Sequence, residues 1–240
     1  MIEPHVDAPL LDPAAWLVPL VWIVGGWPYE LLAFLIGSLP FGVFIARAFY
    51  GTDIRASGSG NIGAANALRT LGAKAGIAVL ALDALKGALA VWAARYGWLH
   101  VPLYVATLAR WSPPDLHPAA LVPLAGLAAI LGHCYSPWLR WRGGKGVATF
   151  LGATWALSWP AALAFGIVWL ACVIPTRYSS LGSMFGTAAG ALVLALTGRG
   201  YGDAAWIYGA ATTILIVWKH RENIARLDAG TESRLTLRRS

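Results

Sequence analysis

Apolar residues fall in long uncharged runs separated by short polar stretches, and runs of this length need lipid as their solvent. With prolines, glycines and charged clusters taken as breaks, the pattern predicts helical spans at 27–48, 73–96, 119–139, 146–158, 160–175, 181–197 and 204–218. The uncharged run 147–175 is too long for one relaxed span and short for two, so Ser158-Trp159-Pro160 is either a turn or a kink.

The basic residues decide between them. With a turn, Arg47, Arg55, Arg69, Lys74, Arg140, Arg142, Lys145, Arg177, Lys219, Arg221, Arg226, Arg234, Arg238 and Arg239 share one side, against Arg95, Arg110 and Arg199 on the other. A single span would flip everything after it and erase the bias that membrane insertion follows. The expected fold is therefore all-α, a polytopic membrane protein with seven transmembrane helices, its N-terminus outside and its C-terminus cytoplasmic. Residues 1–26 read as an N-terminal extension whose apolar part, 14–26, is short, holds Pro19 and suits an interfacial helix better than an eighth span. Residues 27–234 form the membrane domain and 235–240 a basic tail. The stretch 94–118, with Trp98, Trp111, Pro113 and Pro114, reads as an outer loop with aromatics at headgroup level.

Composition agrees. The 240 residues are 58% hydrophobic and only 12% charged, with mean hydropathy +0.62, whereas soluble chains carry about 25% charge. Large soluble domains are excluded, and the net charge of +7 belongs to cytoplasmic loops rather than to nucleic-acid binding. The two cysteines, Cys134 and Cys172, offer neither a disulfide framework nor a metal cluster, so redox chemistry is not expected. Glu3, Asp7 and Asp12 lack the positive start of a signal peptide, and no cleavage is expected.

Three polar segments fall on the basic side. The first, 53–69, places Gly58, Gly60 and Gly63 with Ser59, Asn61 and Asn66 ahead of Arg69, so that backbone amides, small polar groups and a guanidinium can converge on an anion. Gly58, Gly60, Gly63 and Asp83 also mimic a dinucleotide fingerprint, but that motif needs a strand before it and a βαβ unit around it. The second carries Gly143-Gly144-Lys145-Gly146 directly before an apolar helix, where free amides, the dipole's positive end and a lysine meet. It lacks the other marks of a nucleotide-hydrolysing loop. In the third, His220 and Asn223 share one helical face. Each segment alone also fits a blander role, as a flexible loop, a topology-setting charge cluster or a basic helix end. Between the fifth and sixth spans, Ser179, Ser180 and Ser183 add hydroxyls. Inside the second span, Asp83 and Lys86 should face the bundle and pair.

At Gly58-Ser59-Gly60-Asn61, Gly143-Gly144-Lys145-Gly146-Val147-Ala148-Thr149 and His220-Arg221-Glu222-Asn223-Ile224 the chain resembles the bacterial acyl-phosphate:glycerol-3-phosphate acyltransferase family, integral membrane enzymes that make lysophosphatidic acid. The similarity runs from about residue 29 to 234. It implies acyl transfer from acyl-phosphate to the 1-hydroxyl of glycerol 3-phosphate with release of phosphate, at the cytoplasmic face of the bacterial inner membrane. It implies no CoA, carrier protein or metal. Ser59, Arg69, Lys145, His220 and Asn223 are then the catalytic set, and Asn61, Gly63, Asn66, Gly143, Gly144, Gly146, Ser180, Ser183 and Glu232 the binding set. Ser59, Arg69, Ser183, His220 and Asn223 are assigned to glycerol 3-phosphate, and Gly143 to Gly146 to the acyl-phosphate headgroup. Ala65 stands where the family usually has Thr or Ser, and the chain is longer than the family needs before Tyr29 and at 103–117.

The residues fit this chemistry independently. Acyl-phosphate is already activated, so alignment and charge compensation dominate. No His-x-x-x-x-Asp pair exists: the position after His133 holds Trp138, and after His220, Ala225. A substrate phosphate, with second pKa about 6, is then the expected base, held by His220. A transporter for phosphate or a phosphorylated solute is the competing class, but it needs polar residues leading across the bilayer, and only Asp83 and Lys86 lie deep. A purely structural subunit would not need such loops.

The charge count makes a topological prediction. In a background lacking Cys134 and Cys172, single cysteines at 145 and 220 should label from one face, and those at 98 and 199 from the other. Cysteines at 158 and 179 should label from opposite faces.

Overall fold

The computed structural model describes residues 28–100 and 122–235. The readings of 1–26 as an interfacial extension, of most of the 94–118 loop and of most of the basic tail lie outside these residues. Within them the chain is helical: α1 (28–38), α2 (Phe41–Tyr50), α3 (Ala64–Leu71), α4 (Ala73–His100), α5 (Val122–Cys134), α6 (Val147–Leu157), α7 (Trp159–Thr176), α8 (Ser179–Thr197), α9 (Asp203–Lys219) and α10 (Arg221–Asp228).

Each of the seven apolar segments appears as helix within a few residues of its expected bounds. The first is broken: Pro40 cannot supply the amide that a continuous helix needs, and α1 gives way to α2 at Leu39-Pro40. The carbonyls freed there are answered from neighbouring elements, Ser38 O by Ser136 Oγ at 2.7 Å and Leu39 O by Lys86 Nζ at 2.8 Å. This is how a broken helix is tolerated among apolar neighbours. Ser158 is a turn, not a kink. Its extended backbone (φ −158°, ψ 107°) closes α6 and opens α7, with Pro160 in the first turn of the new helix, where a missing amide costs nothing.

Five helical stretches are long and apolar enough to cross a bilayer: Pro28–Tyr50, Ala73–Gly97, Val122–Leu139, Trp159–Thr176 and Ser179–Thr197. α9 has 17 residues and α6 only 11. At about 1.5 Å per residue α6 reaches roughly half the depth of a hydrocarbon core.

The bundle closes through glycines. Gly152 of α6 lies against the Ala84 carbonyl of α4, and Gly87 of α4 against the Thr149 carbonyl of α6, so a Cβ at either would meet backbone. Gly37 of α1 and Gly132 of α5 make the same reciprocal contact, against Ala129 and Phe34. On α8, Gly182, Gly186 and Gly190 recur every fourth residue against Trp169, Phe165 and Ala161 of α7. Small residues at such seams let helices approach where lipid offers no hydrophobic drive between them. Beneath the seams Phe150 stacks on Tyr208 with centroids 5.9 Å apart, and the Tyr208 hydroxyl meets Thr154 Oγ1 at 2.9 Å.

Gly152→Leu should therefore destabilise the protein by at least about 1–3 kcal/mol, the usual penalty of overpacking, read as a lower unfolding temperature in detergent. Gly166→Leu is the control. A Cβ at Gly166 meets nothing within 4 Å, and its unfolding temperature should match that of the unsubstituted protein.

Candidate active site

The loop between α2 and α3 is organised by one side chain. Asn66, 1% exposed, donates from Nδ2 toward the carbonyls of Ile54, Ser57 and Asn61 and accepts from the Ser59 amide at 2.9 Å. Gly58 (φ +61°) lies so close to Asn66 Oδ1 that a side chain there would break this clasp. Asn61 Oδ1 accepts from the Gly63 amide, an Asx turn that starts α3. One turn along α3, Arg69 projects back over the loop. Its Nη2 stands 3.5 Å from Ser59 Oγ, and its buried Nε has no partner among the described residues. Burial holds its pKa below the usual arginine value.

The second loop is tied to the end of α5. The amides of Gly143 and Gly144 donate to the carbonyls of Cys134 and His133 at 3.2 and 3.0 Å. Gly144 rests on the His133 imidazole, leaving no room for a Cβ. The chain then turns at Gly146 (φ +85°) into α6, which has no side-chain cap, so its first amides stay free for an anion.

The third segment supplies a clamp. Lys145 Nζ donates to Asn223 Oδ1. Asn223 Nδ2 donates to Glu232 Oε1 at 2.6 Å, which also accepts from Ser180 Oγ at 2.8 Å, while Glu232 Oε2 takes Arg226 Nε at 2.8 Å. These hydrogen bonds hold the Glu232 carboxyl below the usual carboxylate range, although burial opposes them. His220, 3% exposed, places Nδ1 at 2.7 Å from the Ile216 carbonyl. A carbonyl only accepts, so Nδ1 carries the proton and Nε2 keeps its lone pair. Burial, with the Lys145 charge nearby, pushes the His220 pKa down to about 4, and the ring is neutral at physiological pH.

These segments and the serines that open α8 enclose a cavity of about 390 Å³. Ser59, Arg69, Lys145, His220, Asn223, Asn61, Gly63, Asn66, Gly146, Ser180 and Ser183 line it, as does Ala65, which brings no hydroxyl. Its opposite wall is apolar, built from Ile77, Leu80, Leu151, Phe165, Trp169 and Leu170. Burial pushes the Lys145 ammonium down to about 8, with Arg226 adding repulsion and Glu232 opposing both.

Several expected roles change. Gly143 and Gly144 are outside the cavity lining and their amides are taken up by α5, so these glycines seat the loop rather than bind through it. Glu232 is also outside the lining, its carboxylate engaged by protein donors, and it acts by holding Asn223 and Ser180. Asn66 lines the cavity but its polar atoms all serve the loop. Two residues left out of the site, Asp83 and His133, do line it. Their signal was the charged pair of one span and the histidine just ahead of the glycine loop, which belong together only in three dimensions. Among the described residues no group of three or more His, Cys, Asp or Glu side chains is placed to hold a metal ion.

An apolar helical bundle whose basic side chains and free helix amides gather around a lipid-flanked cavity is an integral membrane protein built to hold phosphate-bearing molecules. The glycerol-3-phosphate acyltransferase family model matches residues 29–230, and the chain belongs to that family. Glycerol-3-phosphate acyltransferases of Myxococcus xanthus and Zymomonas mobilis are 44% identical over 204 residues and 43% over 207, covering 85% of this chain and 96% and 92% of theirs. Crystal structures of PlsY, an integral membrane glycerol 3-phosphate acyltransferase, align in its glycerol 3-phosphate form (TM-score 0.74, 36% identity) and its lysophosphatidic acid form (TM-score 0.71, 34% identity). Both alignments cover 88% of this chain and 96% of the other.

Lys145 is charged below about pH 8 and neutral above it. The kcat/KM for a phosphate-bearing substrate should therefore fall on the alkaline side with an apparent pKa near 8, because kcat/KM reports the free enzyme. Lys145→Arg, which stays charged, should lose that alkaline limb whatever its residual rate. Initial rates across pH 6 to 10 for both proteins check it.

Proposed function

We propose that the protein is an acyl-phosphate-dependent glycerol-3-phosphate acyltransferase of phospholipid synthesis. In this reading it crosses a bacterial inner membrane seven times, with the N-terminus outside and the C-terminus and active site cytoplasmic. The observation that carries it is the convergence of Arg69, Lys145, His220 and Asn223 on one cavity whose other wall is apolar. That wall reaches the lipid-facing surface through Ile77, Leu80 and Leu170, 66%, 43% and 50% exposed. A site of this kind suits one reactant with a fatty tail and one without.

The acyl group arrives as a mixed anhydride. The 1-hydroxyl oxygen of glycerol 3-phosphate attacks the acyl carbon, the bond from that carbon to the phosphate oxygen breaks, and lysophosphatidic acid and inorganic phosphate result. Lys145, Gly146 and the first amides of α6 take the acyl-phosphate headgroup and neutralise charge that grows on it. Arg69, with its unpartnered Nε, holds the acceptor's phosphate together with Ser59, Ser183 and Asn223. His220 offers Nε2 as acceptor to the hydroxyl and so orients it. With its pKa pushed down to about 4, His220 is a poor store for the proton. A phosphate whose second pKa is about 6 takes it instead. The PlsY crystal forms with glycerol 3-phosphate and with lysophosphatidic acid support the same acceptor and product.

Purified protein in lipid, given acyl-phosphate and glycerol 3-phosphate, should release phosphate and form lysophosphatidic acid. Acyl-CoA should give no comparable rate, since the site lacks a strong base to aid a poorer leaving group. Lys145→Ala should lower kcat at least about a hundredfold, as when a donor to developing charge is removed, in protein that remains monodisperse. Wild-type turnover in that variant would refute the assignment of the glycine loop.

A further inference from the structure

Across the two glycine loops from the cavity lies a second, polar cleft of about 950 Å³. Arg55, Arg140, Arg142 and Trp138 line it, with one carboxylate, Asp53, and with Gly60 and Gly143 of the two loops. The loops are shared walls. Gly60 faces the cleft while its neighbours Ser59 and Asn61 line the cavity; Gly143 faces the cleft while Lys145, two residues on, lines the cavity. Lysine and arginine in cytoplasmic loops have a bland explanation in membrane topology, but that explanation asks for no particular geometry, and here there is one.

Arg55 is paired with Asp53, whose carboxylate it meets at 2.6 Å and shares with Arg47 at 2.9 Å. Arg140 and Arg142 are different. Both are exposed, and among the described residues neither side chain makes an ion pair or a hydrogen bond. A tight turn presents them. Arg140 and Trp141 are consecutive left-handed residues (φ 52° and 64°), a conformation that residues with a Cβ rarely adopt. Three backbone bonds hold it: Arg140 N to Pro137 O, Trp141 N to Ser136 O and Arg142 N to Leu139 O, at 3.2, 2.9 and 3.1 Å. Two uncompensated guanidinium groups are thus set on a constrained turn beside a phosphate cavity whose own outer wall is apolar.

We propose that this cleft is a capture site for the phosphate of the water-soluble acceptor, glycerol 3-phosphate, and that Arg140 and Arg142 are its positioning charges. The inference rests on the acyl-transfer reading above. The fatty donor reaches the cavity along the apolar wall, and the dianion, which lipid excludes, is concentrated at the polar cleft on the far side of the loops. The cleft lining sets three arginines against the single carboxylate of Asp53, and clefts in which one sign of charge prevails focus their field and raise the local concentration of an oppositely charged substrate by about tenfold or more. The attraction acts before the chemistry, so it enters kcat/KM for the acceptor and leaves kcat alone. It also weakens as salt shortens the screening length to about 8 Å and below.

The test uses the full chain in bilayer discs of phosphatidylcholine, with acyl-phosphate saturating and glycerol 3-phosphate varied. Three proteins are compared: wild type, the pair Arg140→Gln with Arg142→Gln, and the pair Arg140→Lys with Arg142→Lys. The glutamine pair should lose about tenfold in kcat/KM for glycerol 3-phosphate with kcat unchanged, and the lysine pair should restore it. Added sodium chloride should bring wild type down toward the glutamine pair, whose own rate should change little. An unchanged kcat/KM, or a loss carried by kcat, would overturn the proposal. A defect seen only when the discs contain anionic lipid would also overturn it, since the arginines would then be holding a lipid headgroup. If wild type itself showed no acyl transfer, the reaction would be the part that failed. Equilibrium binding of radiolabelled glycerol 3-phosphate to the same three proteins would then decide the capture site on the same tenfold criterion.

Discussion

A lysine ammonium buried among apolar helices must find partners, and Lys86 finds one in each of three segments of the chain, a carboxylate as ion pair and two hydrogen-bond partners. Its Nζ lies 2.7 Å from Asp83 Oδ1 on its own helix, 2.8 Å from the Leu39 carbonyl at the break between α1 and α2, and 2.9 Å from His133 Nδ1 near the end of α5. Leaving any of these unmet so far from water costs more than most single contacts contribute. The break in the first span, the long central helix and the end of α5 are therefore held at one point. His133 carries that constraint onward, since its carbonyl takes the Gly144 amide and its ring is the surface on which Gly144 rests. The glycine loop is placed by a charge that never touches it.

Around the cavity the polar groups divide into those that hold each other and those left open. Asn66, Ser180, Glu232 and the amides of Gly143 and Gly144 are engaged within the protein. Arg69 Nε, the lone pair of His220 and the first amides of α6 have no partner among the described residues. The engaged groups are what keep the open ones in place before any substrate arrives, which is the condition for electrostatic stabilisation without reorganisation. Lys145 stands between the two classes. Asn223 fixes its direction, yet one acceptor does not exhaust an ammonium's three donors.

Much of this was legible along the chain. Hydropathy marks all seven apolar segments, and the distribution of arginine and lysine separates turn from kink at Ser158, because both are summed properties that need no knowledge of neighbours. The grouping of Ser59, Arg69, Lys145 and His220 was legible for the same reason, each falling beside a run end on the basic side. Which glycine binds and which merely fits was not legible. The difference between Gly144 and Gly146 lies in what faces them, the ring of His133 from the end of α5 for one and open amides beside the other. Asp83 was seen as a partner for Lys86, but its reach to the cavity wall depends on the tilt of α4, which no spacing encodes. The left-handed pair Arg140 and Trp141 carries no glycine or asparagine to announce it, since the turn is imposed by Ser136, Pro137 and Leu139 rather than chosen by the residues that suffer it.

The reciprocal contact of Gly87 and Gly152 bears on how firmly α6 is seated. Most helix seams are ordered by freezing side-chain torsions, and each frozen leucine or methionine forfeits rotamer entropy. A seam of backbone on backbone has no torsions to freeze. α4 and α6 therefore meet without that loss, and nothing at their closest approach can relax by changing rotamer. The register of the short helix, and with it the height of Lys145 above the apolar floor of the cavity, is set like the mesh of two gears rather than like the fit of a soft gasket. Such a joint stays in register until it parts altogether.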